Sequence, residues 1–288
     1  MSTSPQSLLS AAAARLAGRE NGRPMPRGGV SVGVDLGTAN VVLTVLDSAG
    51  RPVAVLRRPA QVVRDGLVVD FVGATDIVRD LKAQAEAALG VTLTAAASGY
   101  PPGVPEVEVR AVANVLAAAG LECVRLIDEP SAANLVLGLR DGALVDVGGG
   151  TTGVALVRHG EVVSTTDEAT GGTHFTLVIA GALDVPFDQA EALKLDPDEQ
   201  PGLFPLVRPV MEKVAAIVAR HLGDRSVPAV HLVGGASAFH RMGEVIEEML
   251  GIPVRTAAEP LLVTPLGLAL AHRAAAETMP AFSPRSAR

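Results

Sequence analysis

The sequence contains Ala143-Leu-Val-Asp-Val-Gly-Gly-Gly-Thr-Thr-Gly-Val-Ala-Leu-Val157, in which two apolar runs flank an acid, three glycines and two threonines. Glycine removes the Cβ that would block a close ligand, and successive free N–H groups in a glycine turn form a concave site for anions. The threonine hydroxyls add donors, and Asp146 is placed to hold hydrated Mg²⁺ beside the anion. We therefore interpret the stretch as a phosphate-binding turn between two strands.

Two other interpretations of this stretch stay open on its own residues. Gly148, Gly150 and Gly153 match the G-x-G-x-x-G pattern of dinucleotide-binding turns, but that pattern requires a helix directly afterwards. The segment that follows, Val154–Val163, is short, apolar and β-branched with a turn inside, which is typical of a strand and a hairpin. The second alternative is an ordinary glycine-rich hairpin, and it would be favoured if the stretch stood alone.

Two further stretches repeat the pattern. The first is Val32-Gly-Val-Asp-Leu-Gly-Thr-Ala-Asn-Val-Val-Leu-Thr-Val-Leu46, where an apolar strand again ends in an acid, a glycine and a hydroxyl before a second apolar strand. The second is Val230-His-Leu-Val-Gly-Gly-Ala-Ser237, a glycine turn that ends a strand and opens a helix. Two similar Asp-bearing hairpins roughly a hundred residues apart indicate two related half-domains that face one nucleotide.

The three turns resemble the phosphate-1, phosphate-2 and adenosine motifs of the actin/Hsp70/sugar-kinase ATPase superfamily. The segment Ile127-Asp-Glu-Pro-Ser-Ala-Ala133 is similar to the connecting helix of that superfamily, and the resemblance spans about Ser31 to Arg273. Closer still, Val62-Val-Arg-Asp-Gly-Leu-Val-Val-Asp-Phe71 and Ala169-Thr-Gly-Gly-Thr-His-Phe175 resemble the EutJ family of ethanolamine utilisation. That family is a small Hsp70-like group encoded with ethanolamine-degrading microcompartments.

The resemblance implies an α/β protein with the actin/Hsp70-like ATPase fold, in which a nucleotide cleft lies between two RNase H-like half-domains. The expected boundaries are a flexible N-terminal tail over residues 1–29, half-domains over residues 30–140 and 141–276, and a C-terminal tail over residues 277–288. Within the first tail, Ser7 to Leu16 has apolar residues at helical spacing. We interpret it as a fraying segment, with a helix that docks to a microcompartment as the alternative.

The resemblance also implies ATP or ADP with Mg²⁺ as ligands. Asp35 and Asp146 would hold the metal through its waters, and together with Glu129 they are the implied catalytic residues. Glu129 is expected to position the attacking water, and a helix-capping acid is the alternative. The implied nucleotide contacts come from the turns and from one helix of the second half: Gly37, Thr38, Ala39, Gly148, Gly149, Gly150, Thr151, Gly171, Gly172, Glu191, Lys194, Gly234, Gly235 and Ala236. For Glu191 and Lys194 the alternative is an exposed ion pair.

Three departures from the superfamily pattern bear on turnover. Thr173 and His174 stand where Hsp70-like proteins carry an acid, and Ala39 replaces a hydroxyl that is common in the phosphate-1 turn. The region that holds the catalytic lysine of Hsp70 contains only Lys82, within a predicted helix; the unassigned substitutes are Arg57, Arg58 and Arg64. We therefore expect turnover to be slow, or absent with binding retained.

Composition and charge exclude several classes of function. The net charge is −7 and no basic residues cluster, so a nucleic-acid groove is not expected. The single cysteine, Cys123, excludes an internal disulfide and a cysteine zinc site. No apolar run reaches the length of a membrane span, and no basic segment marks a secretory signal. We expect a cytoplasmic protein with no membrane partner, and the resemblance suggests association with a bacterial microcompartment.

The function implied by the resemblance is an ATP-binding, chaperone-like switch with weak ATPase activity in ethanolamine utilisation. The chain is too short for the peptide-binding domain of Hsp70. It would instead bind a protein client or microcompartment component in one nucleotide state, for example a coenzyme-B12-dependent lyase or a shell protein. Two alternatives remain: an actin-like structural protein that forms filaments, and a nucleotide-binding pseudo-ATPase scaffold.

Overall fold

A computed structural model of the chain describes residues 4–18, 28–64 and 66–278. Its helices are α1 (Pro5–Leu16), α2 (Phe71–Leu89), α3 (Glu106–Ala118), α4 (Glu129–Leu137), α5 (Gly172–Leu183), α6 (Phe187–Leu195), α7 (Gln200–Leu222), α8 (Met242–Leu250) and α9 (Val263–Thr278). Its strands are β1 (Ser31–Leu36), β2 (Asn40–Leu46), β3 (Pro52–Pro59), β4 (Val63–Arg64), β5 (Leu67–Val68), β6 (Ala95–Tyr100), β7 (Glu122–Asp128), β8 (Gly142–Val147), β9 (Thr152–Arg158), β10 (Glu161–Glu168), β11 (Val230–Val233) and β12 (Val254–Thr256). Short 3₁₀ helices cover Gly235–Ala238 and Pro260–Leu262.

Two five-stranded sheets have the same strand order. The first runs β3-β2-β1-β6-β7 and the second runs β10-β9-β8-β11-β12. In each sheet the hairpin that carries the Asp–Gly turn and the strand pair outside it are antiparallel, and the other two pairs are parallel. The predicted α/β fold with two related halves is therefore confirmed.

Alternation along the strands decides which way the acids point. In β1, Val32, Val34 and Leu36 belong to the aliphatic core formed with α2 and α3, so Asp35 lies on the opposite face. In β8, Ala143 and Val145 belong to the core formed with α5 and α7, and Asp146 again lies on the opposite face. Both acids are thereby directed at the space between the two halves.

Helices α4 and α9 join the two halves. Although α9 is the last element of the second half, it packs on β1, β2 and β6 of the first sheet, whereas α4 contacts β8, β9 and β10 of the second. The two helices cross so closely that a Cβ built on Gly267 would lie 1.9 Å from the carbonyl oxygen of Ala132. Only glycine permits this crossing.

The N-terminal segment differs from the predicted flexible tail. Residues Pro5–Leu16 form a helix that is capped by Ser4, whose side chain accepts a hydrogen bond of 3.3 Å from the N–H of Ser7. Its apolar side contacts β3, α9 and the 3₁₀ helix Pro260–Leu262, and buries Leu8, Leu9 and Ala12. The physical reason is that α9 leaves part of the first sheet uncovered, and α1 covers it. The apolar residues of α1 thus pack against the rest of this chain, so in this arrangement they are not exposed for docking to a microcompartment. Residues 1–3 and 19–27 of the predicted N-terminal tail lie outside the described ranges, as do residues 279–288 of the predicted C-terminal tail.

We expect Leu9→Ala to lower the free energy of unfolding by about 2–4 kcal/mol, because it leaves a cavity beneath α1. Leu9 is 2% exposed and belongs to a buried apolar cluster that contains residues of both halves. Denaturant unfolding measures the change, and Ser10→Ala, on the exposed side of the same helix, is the matched control. Equal stability of the two variants would show that α1 does not dock in solution.

Within the ranges that the structure describes, no helix is both long enough and apolar enough to cross a membrane.

Candidate functional site

A cavity of about 370 Å³ lies between the two halves, where β1 and β8 end in their glycine turns. It brings together the predicted acids and all the predicted nucleotide contacts except Gly171. The residues from that prediction that line it are Asp35, Gly37, Thr38, Ala39, Glu129, Asp146, Gly148, Gly149, Gly150, Thr151, Gly172, Glu191, Lys194, Gly234, Gly235 and Ala236. Residues that are far apart in the sequence thus form one site.

Gly171 lies beside the cavity and does not line it. A Cβ at this position would be 2.7 Å from the carbonyl oxygen of Gly148. The next two N–H groups, of Gly172 and Thr173, donate to the carbonyl oxygens of Gly148 and Gly149 at 2.9 and 2.8 Å. Gly171 therefore allows the start of α5 to hold the phosphate-2 turn, and its contact with a ligand stays a prediction.

The two phosphate turns touch each other. A Cβ on Gly149 would lie 2.7 Å from the Cβ of Ala39, and one on Gly150 would lie 3.0 Å from Cγ2 of Thr38. Each turn closes in the same way, since the N–H groups of Gly37 and Gly148 donate over 3.0 Å to a carbonyl three residues later. The turns form one glycine-rich cradle with little side-chain bulk, which suits the close approach of an anion.

Three acids meet beneath this cradle. Burial, with the charge of Asp146, raises the pKa of Asp35 to about 7. Burial raises the pKa of Asp146 to about 6, although the hydroxyl of Thr264 donates a hydrogen bond of 3.1 Å to it. Burial also raises the pKa of Glu129 well above its usual value, as do the nearby charges of Asp35, Asp146 and Asp167. Protonation, or a cation bound nearby, therefore stabilises this group of three acids.

The acids fit a hydrated Mg²⁺ better than a directly ligated metal. Among the described residues, no group of three or more His, Cys, Asp or Glu is arranged to ligate a metal ion. Mg²⁺ usually keeps several waters and uses one or two carboxylates with substrate phosphates. Asp35 and Asp146 would hold such an ion through its waters, beside the cradle. When bound, the ion would offset the negative charge of the acids and the phosphates.

We expect Asp35→Asn to stabilise the metal-free, nucleotide-free protein at about pH 8 by roughly 2–4 kcal/mol, and to have little effect near pH 5. The folded pKa of Asp35 is raised to about 7, so the folded state binds more protons than the unfolded state between the two pKa values. Stability is therefore lost as the pH rises through this window. Thermal unfolding of the wild type and of Asp35→Asn in EDTA, between about pH 5 and pH 8, measures this pH dependence of stability. A wild-type stability that rises with pH there would contradict the assignment.

Glu129 does not cap its helix. The cap is Asp128, whose Oδ1 accepts a hydrogen bond of 2.9 Å from the N–H of Ser131. Glu129 is the next residue and lines the cavity. Gly99 leaves room for it, because a Cβ there would lie 3.3 Å from Cγ of Glu129. The arrangement agrees with a glutamate that faces the ligand.

Glu191 and Lys194 form a mostly buried network at another part of the cavity. Nζ of Lys194 lies 2.6 Å from Oε2 of Glu191, and the two side chains are 12% and 29% exposed. Lys194 also donates to the hydroxyl of Thr176 at 3.0 Å and to the carbonyl of Gly172 at 3.2 Å. The alternative of an exposed ion pair is therefore wrong, and both groups are held in fixed positions.

Gly234 connects the adenosine turn to the acids. Its φ is +84°, and a Cβ there would lie 2.1 Å from Oδ1 of Asp146. Its N–H donates over 2.9 Å to the carbonyl oxygen of Pro260, which also lines the cavity. No other residue fits this position without displacing Asp146.

The structure separates the four basic candidates that the sequence left unassigned. Arg57 lines the cavity, whereas Arg64 does not. Arg58 pairs with Asp80, and Lys82 pairs with Glu86 at 2.8 Å on α2. Arg57 is therefore the candidate that can offer positive charge to a ligand.

The sequence interpretation missed Thr264 and Asp167. Thr264 donates to Asp146, and Asp167 contributes to the field at Glu129. The sequence did contain one signal for Thr264. Glu129-Pro130 begins α4, and a second Glu-Pro pair, Glu259-Pro260, comes shortly before α9, the helix that contains Thr264. The repeat of the two halves therefore extends to the helices that connect them. No comparable local signal marks Asp167.

The fold and site define a member of the actin/Hsp70-like ATPase class. The family model for MreB/Mbl protein matches residues 54–184, and the model for cell division protein FtsA matches residues 143–270. MreB 5 of Spiroplasma citri, solved with AMPPNP, superposes with a TM-score of 0.72 at 18% identity, covering 88% of this chain and 98% of that one.

Nearer relatives define the family. Ethanolamine utilization protein EutJ of Salmonella typhimurium is 41% identical over 248 residues, which is 85% of this chain and 87% of the relative. The crystal structure of ethanolamine utilization protein EutJ from Carboxydothermus hydrogenoformans has a TM-score of 0.87 and 45% identity, covering 92% of this chain and 97% of that one. The chain belongs to the ethanolamine utilization protein EutJ family.

Proposed function

We propose that this chain is a nucleotide-dependent, chaperone-like switch that serves ethanolamine utilisation. It binds ATP with Mg²⁺ in the cleft, hydrolyses it slowly, and engages a protein partner in one nucleotide state. The observation that carries the proposal is the contact between the two Asp–Gly turns above a buried group of three acids. Such a site gains most from a ligand that is both anionic and accompanied by a cation.

In this proposal the residues of the cavity have three roles: binding the phosphates, binding the nucleoside and positioning the attacking water. Backbone groups of the two phosphate turns bind the phosphates, and Arg57 adds positive charge. Gly234, Gly235 and Ala236 admit the nucleoside, and Glu191 and Lys194 orient it. Glu129 positions the attacking water.

Closure of the cleft supplies the switch. One ligand contacts turns that belong to both halves, so the bound γ-phosphate favours the closed arrangement, and its loss favours opening. The halves are joined at the crossing of α4 and α9, which leaves the outer parts of the sheets able to rotate. The proposed partner is a microcompartment component or a lyase of the same system, and it would distinguish the two arrangements.

Solution scattering and sedimentation, each with ATP, with ADP and without nucleotide, test the switch. We expect a smaller radius of gyration with Mg²⁺-ATP than with ADP, and no pelleted protein in any state. Nucleotide-dependent pelleting would instead support an actin-like filament. A radius that is identical in all three states would contradict a closing switch and leave a scaffold that merely holds nucleotide. Affinity for purified candidate partners is then compared in ATP and ADP.

A further inference from the structure

The phosphate-2 hairpin and its neighbour place three residues in one row across the second sheet. Asp146 on β8 lies opposite Gly153 on β9, and Gly153 lies opposite Asp167 on β10. Residues directly opposite one another in antiparallel strands project on the same face of a sheet. Asp146 and Asp167 therefore both project towards the cleft, with a glycine between them.

Gly153 leaves room for a methyl-sized group between Asp146 and Asp167. A Cβ built on Gly153 would lie 3.5 Å from Oδ1 of Asp167 and 4.0 Å from Cβ of Asp146, which are ordinary contact distances. The carboxylate of Asp167 thus leans over Gly153 towards Asp146. A water in that position has Oδ1 of Asp167 as a hydrogen-bond acceptor.

Asp167 also acts on Glu129. Its negative charge is among the causes that raise the pKa of Glu129, so the electrostatic field of Asp167 reaches that carboxyl group. Asp167 belongs to the second half and Glu129 begins the helix that follows the first half. A group held by these two acids is therefore contacted from both sides of the cleft.

The residues that replace the superfamily acid are already used for structure. Thr173 donates its N–H to the carbonyl of Gly149 at 2.8 Å, and Nδ1 of His174 accepts from the N–H of Gly171 at 3.3 Å. Both serve the start of α5. The acid that the second half presents to Glu129 comes from β10 instead.

The first half places a residue that lines the cavity at the equivalent position. There the corresponding row is Asp35 on β1, Val42 on β2 and Arg57 on β3. Arg57 lines the cavity, so the third strand reaches the site in that half as well. The two halves place opposite charges at matching positions, an arginine in the first and an aspartate in the second.

We propose that Asp167 is a positioning residue for the attacking water, which it holds in the space above Gly153 and orients together with Glu129. The inference rests on the proposed nucleotide hydrolysis. Asp167 takes no part in making or breaking bonds; it restricts the water that Glu129 contacts. It thereby takes over the place of the acid that is missing at Thr173 and His174.

Two variants test the proposal by different routes. Asp167→Asn keeps the shape and removes the charge, whereas Gly153→Ala keeps both acids and fills the space with a methyl group that the contact distances tolerate. Each is assayed for Mg²⁺-ATP affinity and for single-turnover phosphate release. We expect affinity within about threefold of wild type and release slower by about tenfold to a hundredfold in both variants. Asp167→Glu should recover part of the lost rate.

The control is Glu168→Gln, at the adjacent residue, which pairs with Arg220 on the surface. It should release phosphate at the wild-type rate. Wild-type rates in both Asp167→Asn and Gly153→Ala, or a wild-type protein that binds ATP but releases no phosphate, would overturn the positioning role while nucleotide binding stands. A wild-type protein that binds no Mg²⁺-ATP would overturn the proposed function as well. Thermal melts identify a variant that fails to fold, and the other variant then decides.

Discussion

Glu129→Gln is expected to lower the rate of phosphate release by about a hundredfold or more, with Mg²⁺-ATP affinity within about threefold of wild type. Glutamine keeps the size of the side chain but cannot accept a proton or orient water as a carboxylate does. Affinity should survive because the phosphate turns, and not Glu129, surround the ligand. Single-turnover phosphate release and equilibrium titration together separate the two effects.

Glu122→Gln, on the exposed part of β7, is the matched control, because it makes the same change on the strand that leads to Glu129. It should leave both quantities unchanged. An unchanged release rate in Glu129→Gln would show that its burial among acids has no catalytic consequence. Equal losses of rate and affinity would instead assign Glu129 to ligand binding.

Gly267→Ala should destabilise the protein by more than about 3 kcal/mol and lower its melting temperature by roughly 6–12 °C. The added Cβ would lie 1.9 Å from the carbonyl oxygen of Ala132, and backbone cannot rotate away as a side chain can. Helices α4 and α9 would have to separate, and they are the elements that join the halves. Calorimetry or denaturant unfolding measures the loss.

Gly181→Ala supplies the comparison for this prediction. It lies within α5, and a Cβ there would have nothing within 4 Å. Alanine is favoured over glycine in helices, so we expect it to be neutral or to stabilise by up to about 1 kcal/mol. If Gly267→Ala behaved like Gly181→Ala, the close crossing of α4 and α9 would not exist in solution.

The sequence was sufficient for those parts of the fold that local patterns determine. Asp35 and Asp146 each end an apolar strand and precede a glycine turn, so their strands, their hairpins and their common cleft were predictable. Glu129-Pro130 at the start of a helix was similarly informative. Chemistry of this kind needs particular residues at fixed spacing, and the spacing is visible without the structure.

Tertiary placement explains what the sequence did not reveal. Leu8 and Leu9 look like residues of a fraying tail until the uncovered face of the first sheet is known. Asp167 becomes a site residue only through the register of β10 on β9, which lays it beside Gly153. The packing role of Gly171 is visible only from the neighbouring carbonyls of Gly148 and Gly149, because a glycine in the sequence indicates close approach without saying to what.

Titration of the protein with ATP, in Mg²⁺ and in EDTA, tests the central claim most directly when it is made beside Asp146→Asn. Asparagine keeps the size of Asp146 and can still accept from Thr264. We predict saturable binding that Mg²⁺ strengthens, and a loss of about tenfold or more of that strengthening in Asp146→Asn. Absence of binding by the wild type, or an identical response to Mg²⁺ in both proteins, would contradict the assignment of the cleft as a Mg²⁺-nucleotide site.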